Sequence, residues 1–210
     1  MQLPPLLFYF AIHNYIQPVK LNLAPDNNAQ PVKGQVLLAE PFLNDPYFRR
    51  TVIFLCEHNQ EGSFGFVLNN YIEVELDQIM DNMPAFSGKI SIGGPVRNSN
   101  LYYLHTLGDV VQDSVEIIPG VFMGGDFETI RKMLVSGKVE RDQVRFFVGY
   151  SGWSPQQLEN EIKTNSWFVT SIQKELVMNT EIQDLWKMIM KNMGQKGKII
   201  AGMPEDPSLN

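Results

Sequence analysis

The residues from Thr51 to Cys56 form an uninterrupted run without charge, rich in β-branched and aromatic side chains. Such a run, followed at once by Glu57 and His58, is typical of a β-strand that is buried on both faces. A strand of this kind needs packed layers above and below it. Hydrophobic residues make up 44% of the 210-residue chain, which is enough for a sizeable core.

Shorter signals predict further strands around this one. Gln35–Ala39 is a short apolar strand, and Pro41–Pro46 has the composition of a turn. The segment Asn59–Ser63 contains Gly62 and predicts a hairpin loop that returns along Phe64–Leu68. Additional strands are predicted near Ile90 and over Leu101–His105, Ser114–Ile117 and Val144–Tyr150.

Helices are predicted where capping residues precede an apolar periodicity. Glu75–Asn82 is predicted as a short helix. Three helices are predicted with stronger signals. The first begins at Asp126 and ends near Gly137, and the second begins with Ser154 as its cap, Pro155 and Gln157. The third begins with Thr180 and Gln183 and ends at Gly194. Because strands are joined by hairpins as often as by helices, we expect an α+β fold with a mixed sheet.

The first 33 residues differ from the rest of the chain. Leu3–Ile12 is apolar, but it is too short to span a bilayer, and the first basic residue, Lys20, follows it rather than precedes it. Residues 1–33 are therefore predicted to be a poorly ordered extension and linker, with Asp26–Gln30 as the linker. Residues 34–210 are predicted to form one domain without a membrane segment.

Charge and cysteine content narrow the possible partners and compartment. The formal net charge is −6, which disfavours binding to nucleic acid through the phosphate backbone. The lysines that cluster near the C-terminus, interpreted as a solvated helix face, are Lys187, Lys191, Lys196 and Lys198. Cys56 is the single cysteine, so no internal disulfide can form, which fits the cytoplasm.

Five polar side chains within the segment Gly34–Asn70 are the candidate functional group: Asp45, Arg50, Glu57, His58 and Asn69. A histidine beside a carboxylate can act as a general base, but a structural network of ion pairs and hydrogen bonds has the same composition. We favour the structural interpretation and assign no catalytic residue. Neighbouring strand residues face opposite ways, so Glu57 and His58 share a pocket only if the strand ends or bulges there.

Metal and redox chemistry remain minor alternatives. His58 and His105 could form a metal site with Glu57 or Asp109, but the spacing is not diagnostic, so no metal and no cofactor are predicted. Cys56 is expected to be buried in its strand. A redox role would require exposure and a lowered thiol pKa.

Two glycine pairs, Gly93-Gly94 and Gly124-Gly125, could bring bare backbone close to a phosphate. Gly124-Gly125 precedes the predicted helix start at Asp126, where an anion would be favoured. Asp126 already occupies that position, so both pairs are interpreted as tight turns.

Several ordered motifs together resemble one known family. They are Asp45-Pro46-Tyr47-Phe48-Arg49-Arg50-Thr51-Val52, Cys56-Glu57-His58-Asn59, Gly62, Gly65, Leu68-Asn69, Gly93-Gly94-Pro95-Val96, Leu104-His105, Gly124-Gly125-Asp126, Gly149-Tyr150-Ser151-Gly152-Trp153, Gln157-Leu158-Glu159, Glu161, Trp167 and Asp206-Pro207-Ser208-Leu209-Asn210. In this order they resemble the AlgH/YqgE family. The chain departs from it at Asn70 and Tyr71, and Gln156 stands where the family usually has glycine.

The resemblance implies a bacterial cytosolic protein with a strongly curved or barrel-like sheet surrounded by helices. The family is largely uncharacterised, and some members are labelled transcriptional regulators. The sequence contains no helix-turn-helix with a basic recognition helix, so regulation through a protein partner fits better than direct contact with DNA.

Two functional hypotheses follow. The favoured one is a non-enzymatic regulatory or binding protein with an exposed aromatic patch, to which Tyr150, Trp153 and Trp167 could contribute. The alternative is a small-ligand-binding protein or hydrolase-like enzyme that uses Arg50, Glu57, His58 and Asn69. That alternative requires these side chains to converge on one cavity.

Overall fold

A computed structural model describes residues 30–43, 45–84, 86 and 88–204. The strands are β1 Gln35–Ala39, β2 Val52–Asn59, β3 Gly62–Val67, β4 Tyr71–Ile72, β5 Ile90–Ile92, β6 Val96–His105, β7 Val115–Ile118, β8 Val121–Met123, β9 Val144–Trp153 and β10 Trp167–Ser171. The helices are α1 Leu76–Ile79, α2 Phe127–Val135, α3 Gln157–Lys163, α4 Lys174–Met178, α5 Leu185–Asn192 and α6 Gly194–Ala201. The predicted extension (except for its last residues), His13 and the motif Asp206–Asn210 lie outside the described residues.

The strands form one mixed sheet, which confirms the predicted α+β class. Their order is β10-β1-β2-β3-β9-β6-β8-β7, with β4 on β5 and β5 on β9. β5 runs parallel to β9, and the other pairs are antiparallel. Within the described residues, β10 and β7 end the path without pairing to each other, so the sheet is not closed into a barrel.

The strand β2 is buried on both faces, as its composition predicts. Val52, Phe54 and Cys56 belong to the apolar cluster that includes residues of α4, α5 and α6. Ile53 and Leu55 pack on the other face with residues of α3. All five side chains are at most 2% exposed.

The helix predictions succeed where the capping residue lies next to the apolar face. Asp126 caps α2 by accepting a hydrogen bond from the Glu128 N–H. The predicted cap at Thr180 is wrong, because α5 begins only after Asp184, whose side chain accepts from the Lys187 N–H. Asp184 offers the same acceptor chemistry one residue before the first buried residue of the helix.

The predicted helix end near Gly194 is correct for α5, but a further helix follows directly. α5 ends at Asn192, but after Met193 the chain enters a further helix, α6, which begins at Gly194 with φ of 81°. Helix α6 buries Ile200 and Ala201 in the core. No helix in the described ranges is long and apolar enough to cross a membrane.

The start of α3 shows why glycine suits the position of Gln156, where this chain departs from the family. The predicted pair is present in part, because the Ser154 N–H donates to Gln157 Oε1 at 3.0 Å. The helix itself begins two residues later than predicted, and Gln156 adopts φ of 63° before it. This left-handed backbone conformation suits glycine and is strained for residues with a Cβ.

Replacement of Gln156 by glycine is therefore expected to stabilise the protein by about 0.5–1 kcal/mol, because the native backbone loses its Cβ strain. Gln156 is exposed and its side chain does not cap the helix. Urea unfolding measures the change. The control is Gln157→Gly, which is expected to destabilise because it removes the bond to Ser154 and places glycine inside a helix; a loss of stability in both variants would contradict the explanation.

Candidate functional site

The five predicted polar residues lie at two ends of β2. Arg50 precedes the strand, whereas Glu57 and His58 lie at its other end. Arg50 and His58 are eight residues apart, which corresponds to roughly 25 Å along an extended strand. The structure therefore does not bring Arg50 and His58 to one cavity.

At the first end, Asn69 joins β2 to the segment after β3. Its Oδ1 accepts from the Val52 N–H at 2.8 Å, and its Nδ2 donates to the Arg50 carbonyl at 2.9 Å. Asp45 forms a local turn, in which its Oδ1 accepts from the Tyr47 N–H at 2.8 Å. Both side chains form hydrogen bonds with backbone groups, so their role here is structural.

Arg50 secures the end of the described chain. Its Nη2 donates to the carbonyls of Met203 at 2.7 Å and Pro204 at 2.9 Å. The guanidinium lies over the Trp186 ring at 4.9 Å, within the range of a cation–π contact. Arg50 therefore attaches the segment after α6 to the start of β2.

At the second end, a β-bulge at Cys56 precedes Glu57 and His58, which pair with consecutive residues of β3 and therefore face opposite sides of the sheet. Leu55 pairs with Gly65, but Glu57 pairs with Phe64, which leaves Cys56 as the extra residue. Glu57 is exposed and accepts from Asn59 Nδ2 at 2.7 Å. His58 pairs with Ser63 and faces the side of the sheet that α3 covers.

His58 contacts two side chains on that side. Its Nδ1 lies 2.7 Å from Ser63 Oγ, and its Nε2 lies 3.9 Å from Glu159 Oε1. Ser63 is buried, at 9% exposure. The arrangement connects the β2–β3 hairpin to α3.

The alternative metal site is not assembled from His58 and His105. The fully buried His105 donates from Nε2 to the Gly124 carbonyl at 3.0 Å and accepts the Leu107 N–H at Nδ1, 3.2 Å away. Burial lowers the pKa of His105, opposed by the bond to Gly124, so the neutral ring is favoured. Among the described residues, no three His, Cys, Asp or Glu side chains are grouped to hold a metal ion.

The environment of Cys56 opposes a redox role. The thiol is 2% exposed, and Sγ lies 3.6 Å from the Phe54 carbonyl, to which it donates. Burial raises the pKa of the thiol above its usual value. The reactive thiolate is therefore disfavoured at neutral pH.

Labelling of Cys56 by a thiol reagent at pH 8 is expected to be at least about 100-fold slower in the native protein than in 6 M guanidinium, because labelling requires opening of the core. Absorbance of the released thiolate of an aromatic disulfide reagent measures both rates. A native rate within a few-fold of the denatured rate would restore the redox alternative.

Two of the three predicted patch residues are core residues instead. Trp153 and Trp167 are 7% and 2% exposed and pack edge to face at 5.9 Å. Both indole N–H groups donate to Glu161 Oε2, at 2.9 and 2.7 Å. The prediction that they contribute to an exposed patch is wrong, because Glu161 allows both indoles to be buried with their donors satisfied.

The third residue, Tyr150, lies in an open cleft of about 670 Å³. Its ring packs edge to face with Phe64 at 5.8 Å and with Tyr102 at 5.7 Å. All three rings are half-buried and form the floor. They come from the adjacent strands β3, β9 and β6, which their positions in the sequence do not reveal.

The walls of this cleft carry opposite charges. Glu57 and Glu61 line it from β2 and the β2–β3 turn, and Arg97 lines it from β6. Between Val96 and Leu101 the pairing of β6 with β9 shifts register, and Arg97 adopts φ of 47° at the start of this irregular stretch. A positive φ in a residue with a Cβ is uncommon, and such strain is often found at functional sites.

A family model described as DUF179, AlgH-like, matches residues 36–198. The chain belongs to the AlgH-like family. Among its relatives, a UPF0301 protein from Chlorobaculum tepidum is 39% identical over 177 residues, covering 84% of this chain and 95% of the relative. A UPF0301 protein from Cytophaga hutchinsonii is 36% identical, with coverages of 85% and 98%.

Two solved structures share the AlgH-like fold of this chain. The solution structure of the AlgH protein from Pseudomonas aeruginosa superposes with a TM-score of 0.66 at 23% identity, covering 85% of this chain and 98% of that one. A crystal structure from Corynebacterium diphtheriae gives a TM-score of 0.66 at 22% identity, with coverages of 83% and 94%. At these identities the likeness concerns the fold alone.

The glycine pair of the AlgH-like motif Gly93-Gly94 lies against protein backbone. The Gly93 N–H donates to the Val148 carbonyl at 2.8 Å, and its own carbonyl accepts from Ser151 Oγ at 3.1 Å. A Cβ at Gly94 would lie 2.2 Å from the Tyr150 carbonyl carbon. The two glycines thus let their backbone lie directly against β9. This packing explains the glycine pair without a phosphate ligand.

Arg145 is a buried cation of this AlgH-like chain that none of the sequence motifs singles out. Its Nη1 donates to the Val177 carbonyl and its Nη2 to the Leu68 carbonyl, with Tyr71 Oη at 3.4 Å and Ser91 Oγ at 3.3 Å. Burial lowers its pKa to about 10, so the guanidinium remains charged at neutral pH. The available signal was a single basic residue inside an otherwise apolar strand.

Proposed function

We propose that this chain is a non-enzymatic regulatory protein that binds a protein partner at the aromatic cleft. The observation that carries the proposal is the floor of three half-buried rings, Phe64, Tyr102 and Tyr150, at the base of an open cleft. Aromatic side chains are enriched at protein interfaces, because they offer a large rigid contact area at low entropic cost.

The roles of the polar residues support binding over catalysis. Asn69 and Arg50 are hydrogen-bonded to backbone carbonyls at the end of β2 remote from the cleft. His58 faces α3, on the opposite side of the sheet from Phe64. An enzyme site would need Arg50, Asn69 and His58 in one cavity, but each of them binds a different part of the fold.

The charge distribution supports a protein partner over direct contact with DNA. The formal net charge is −6, and the clustered lysines are divided between α5 and α6. Duplex DNA of mixed sequence is expected to show no retardation with the protein in a low-salt gel-shift experiment.

Affinity capture from a bacterial lysate tests the proposal. Wild-type protein and a Val135→Ser control, altered at a residue that is 61% exposed on α2, are expected to capture the same partner. Tyr150→Ser and Tyr102→Ser are expected to lose it, provided that circular dichroism shows both variants folded. Equal capture by all four proteins would contradict the assignment of the cleft.

One contact favours a second candidate function, a hydrolase-like enzyme. The 2.7 Å approach of His58 Nδ1 to Ser63 Oγ resembles an activated serine. Ser63, however, is 9% exposed and lies inside β3, paired with both β2 and β9, where its neighbouring N–H groups serve the sheet. A tenfold loss of p-nitrophenyl ester hydrolysis in both Ser63→Ala and His58→Gln would favour the enzyme; unchanged hydrolysis is expected.

A further inference from the structure

The chemistry of the partner can be specified further if the cleft is the contact surface, so this inference rests on the proposed function. We infer that the cleft binds an extended partner segment in which a basic and an acidic side chain flank an apolar one, at positions i, i+2 and i+4. Three features of the cleft support this pattern: its two charged walls, its floor and its width.

The charged walls belong to strands at a fixed separation. Glu57 lies on β2 and Arg97 on β6, and the strand order between them is β2-β3-β9-β6. Three inter-strand spacings amount to about 14 Å, and the pairs Phe64–Gly152 and Val96–Tyr150 displace Arg97 from Glu57 along the strands by at least two residues, so the two Cα atoms are about 16 Å apart. A ligand that contacts both walls must therefore carry a positive and a negative group at a comparable distance.

The floor between the walls accepts an apolar group. Gly152 is exposed and pairs with Phe64, and the Tyr150 ring lies over its backbone. A Cβ at this position would lie 3.1 Å from Tyr150 Cε2, which is tighter than an ordinary van der Waals contact, so glycine makes room for the ring. The half-buried rings of Phe64, Tyr102 and Tyr150 are thus the apolar surface of the floor.

An extended peptide matches all three features at once. Side chains at i, i+2 and i+4 point to the same side of an extended chain. The Cα atoms of the first and last of them are separated by about 13–14 Å, because an extended chain spans about 3.3–3.6 Å per residue, and the long lysine and glutamate side chains cover the remaining distance to the two walls. The basic end would face Glu57 and Glu61, the central residue would pack on the aromatic floor, and the acidic end would face Arg97.

Fluorescein-labelled, end-blocked pentapeptides test the pattern by anisotropy with the full-length protein at low salt. The probes are Lys-Ala-Phe-Ala-Glu, its reverse Glu-Ala-Phe-Ala-Lys, and the neutral Gln-Ala-Phe-Ala-Gln. At least one charged peptide is expected to bind more tightly than the neutral one, by about two- to fivefold for each exposed ion pair.

Four variants locate the effect. The double variant Glu57→Gln, Glu61→Gln is expected to remove the preference for lysine, and Arg97→Gln the preference for glutamate. Gly152→Leu places a bulky side chain against the Tyr150 ring without changing charge, which disturbs the aromatic floor and is expected to weaken binding of all three peptides. Glu140→Gln, an exposed carboxylate outside the cleft, is the matched control and is expected to change nothing. Thermal unfolding verifies that each variant is folded.

The outcomes separate the inference from the proposed function. Equal binding of charged and neutral peptides, still blocked by Gly152→Leu, would overturn the charge pattern and retain the cleft as a contact surface. Absence of binding by every peptide would also overturn the inference, and lysate capture with Tyr150→Ser would then decide the proposed function independently.

Discussion

Arg145→Ala is expected to lower the free energy of unfolding by about 3–5 kcal/mol, because a large buried side chain and its hydrogen bonds are lost together. The arginine is 1% exposed, and its donors reach the Leu68 carbonyl after β3 and the Val177 carbonyl in α4. Without the guanidinium, both carbonyls remain buried without these donors. Removing the charge also removes the penalty of burying it, but this gain offsets only part of the lost stability.

Two further substitutions test that explanation. Arg145→Met restores much of the volume but not the hydrogen bonds, so its cost should fall to about 1–3 kcal/mol. Arg141→Met is the matched control, because Arg141 is about half exposed and pairs with Glu181 at 3.4 Å on the surface. Its expected effect is below about 0.5 kcal/mol.

Urea unfolding followed by tryptophan fluorescence measures all three variants, with unchanged slopes required for the comparison. A cost of Arg145→Ala no larger than that of Arg141→Met would show that the buried guanidinium does not hold these segments together.

Gly94→Ala is expected to destabilise the protein by at least about 3 kcal/mol or to prevent folding, because the added Cβ has no room and the backbone conformation is unsuited to it. Gly94 has φ of 153°, and its Cβ would lie 2.3 Å from the Ser151 nitrogen. These contacts involve the backbone of β9, which cannot rotate away as a side chain can.

The matched control is Gly124→Ala, which makes the same chemical change at φ of 68° with no atom within 4 Å of the new Cβ. Only the conformational cost applies there, about 1 kcal/mol. The yield of folded protein and the urea midpoint compare the two. Equal costs at both positions would mean that close approach to β9 is not what requires glycine at Gly94.

The parts of the fold that could be predicted from the sequence depend on local patterns. The strand β2 forms over Val52–Asn59 because its apolar run from Val52 to Cys56 needs burial, and Asp126 caps α2 because its carboxylate accepts a hydrogen bond from the Glu128 N–H. β10 is absent from the predicted strands, although Trp167-Phe168-Val169-Thr170 has the aromatic and β-branched composition of a strand. What the segment itself cannot show is its partner, β1, where Gln35 pairs with Ser171.

The residues of the candidate site also show that closeness in the sequence and closeness in the fold differ. The polar residues from Asp45 to Asn69 are close in sequence, but the length of β2 holds Arg50 and His58 at opposite ends. In the cleft, by contrast, Phe64, Tyr102 and Tyr150 are distant in sequence but meet in the fold, because β3, β9 and β6 are neighbours in the sheet. Of these three, only Tyr150 could be proposed from its motif.

Strand β9 is the common neighbour of β3, β5 and β6, and this has a consequence for synthesis of the protein. Gly65 pairs with Ser151, so β3 is made long before its partner. At typical translation rates the interval between these residues is roughly 4–17 s. During that time the nascent chain exposes apolar strands with unpaired edges, which are prone to wrong association. We therefore expect productive folding in the cell to depend on chaperone protection until β9 has left the ribosome.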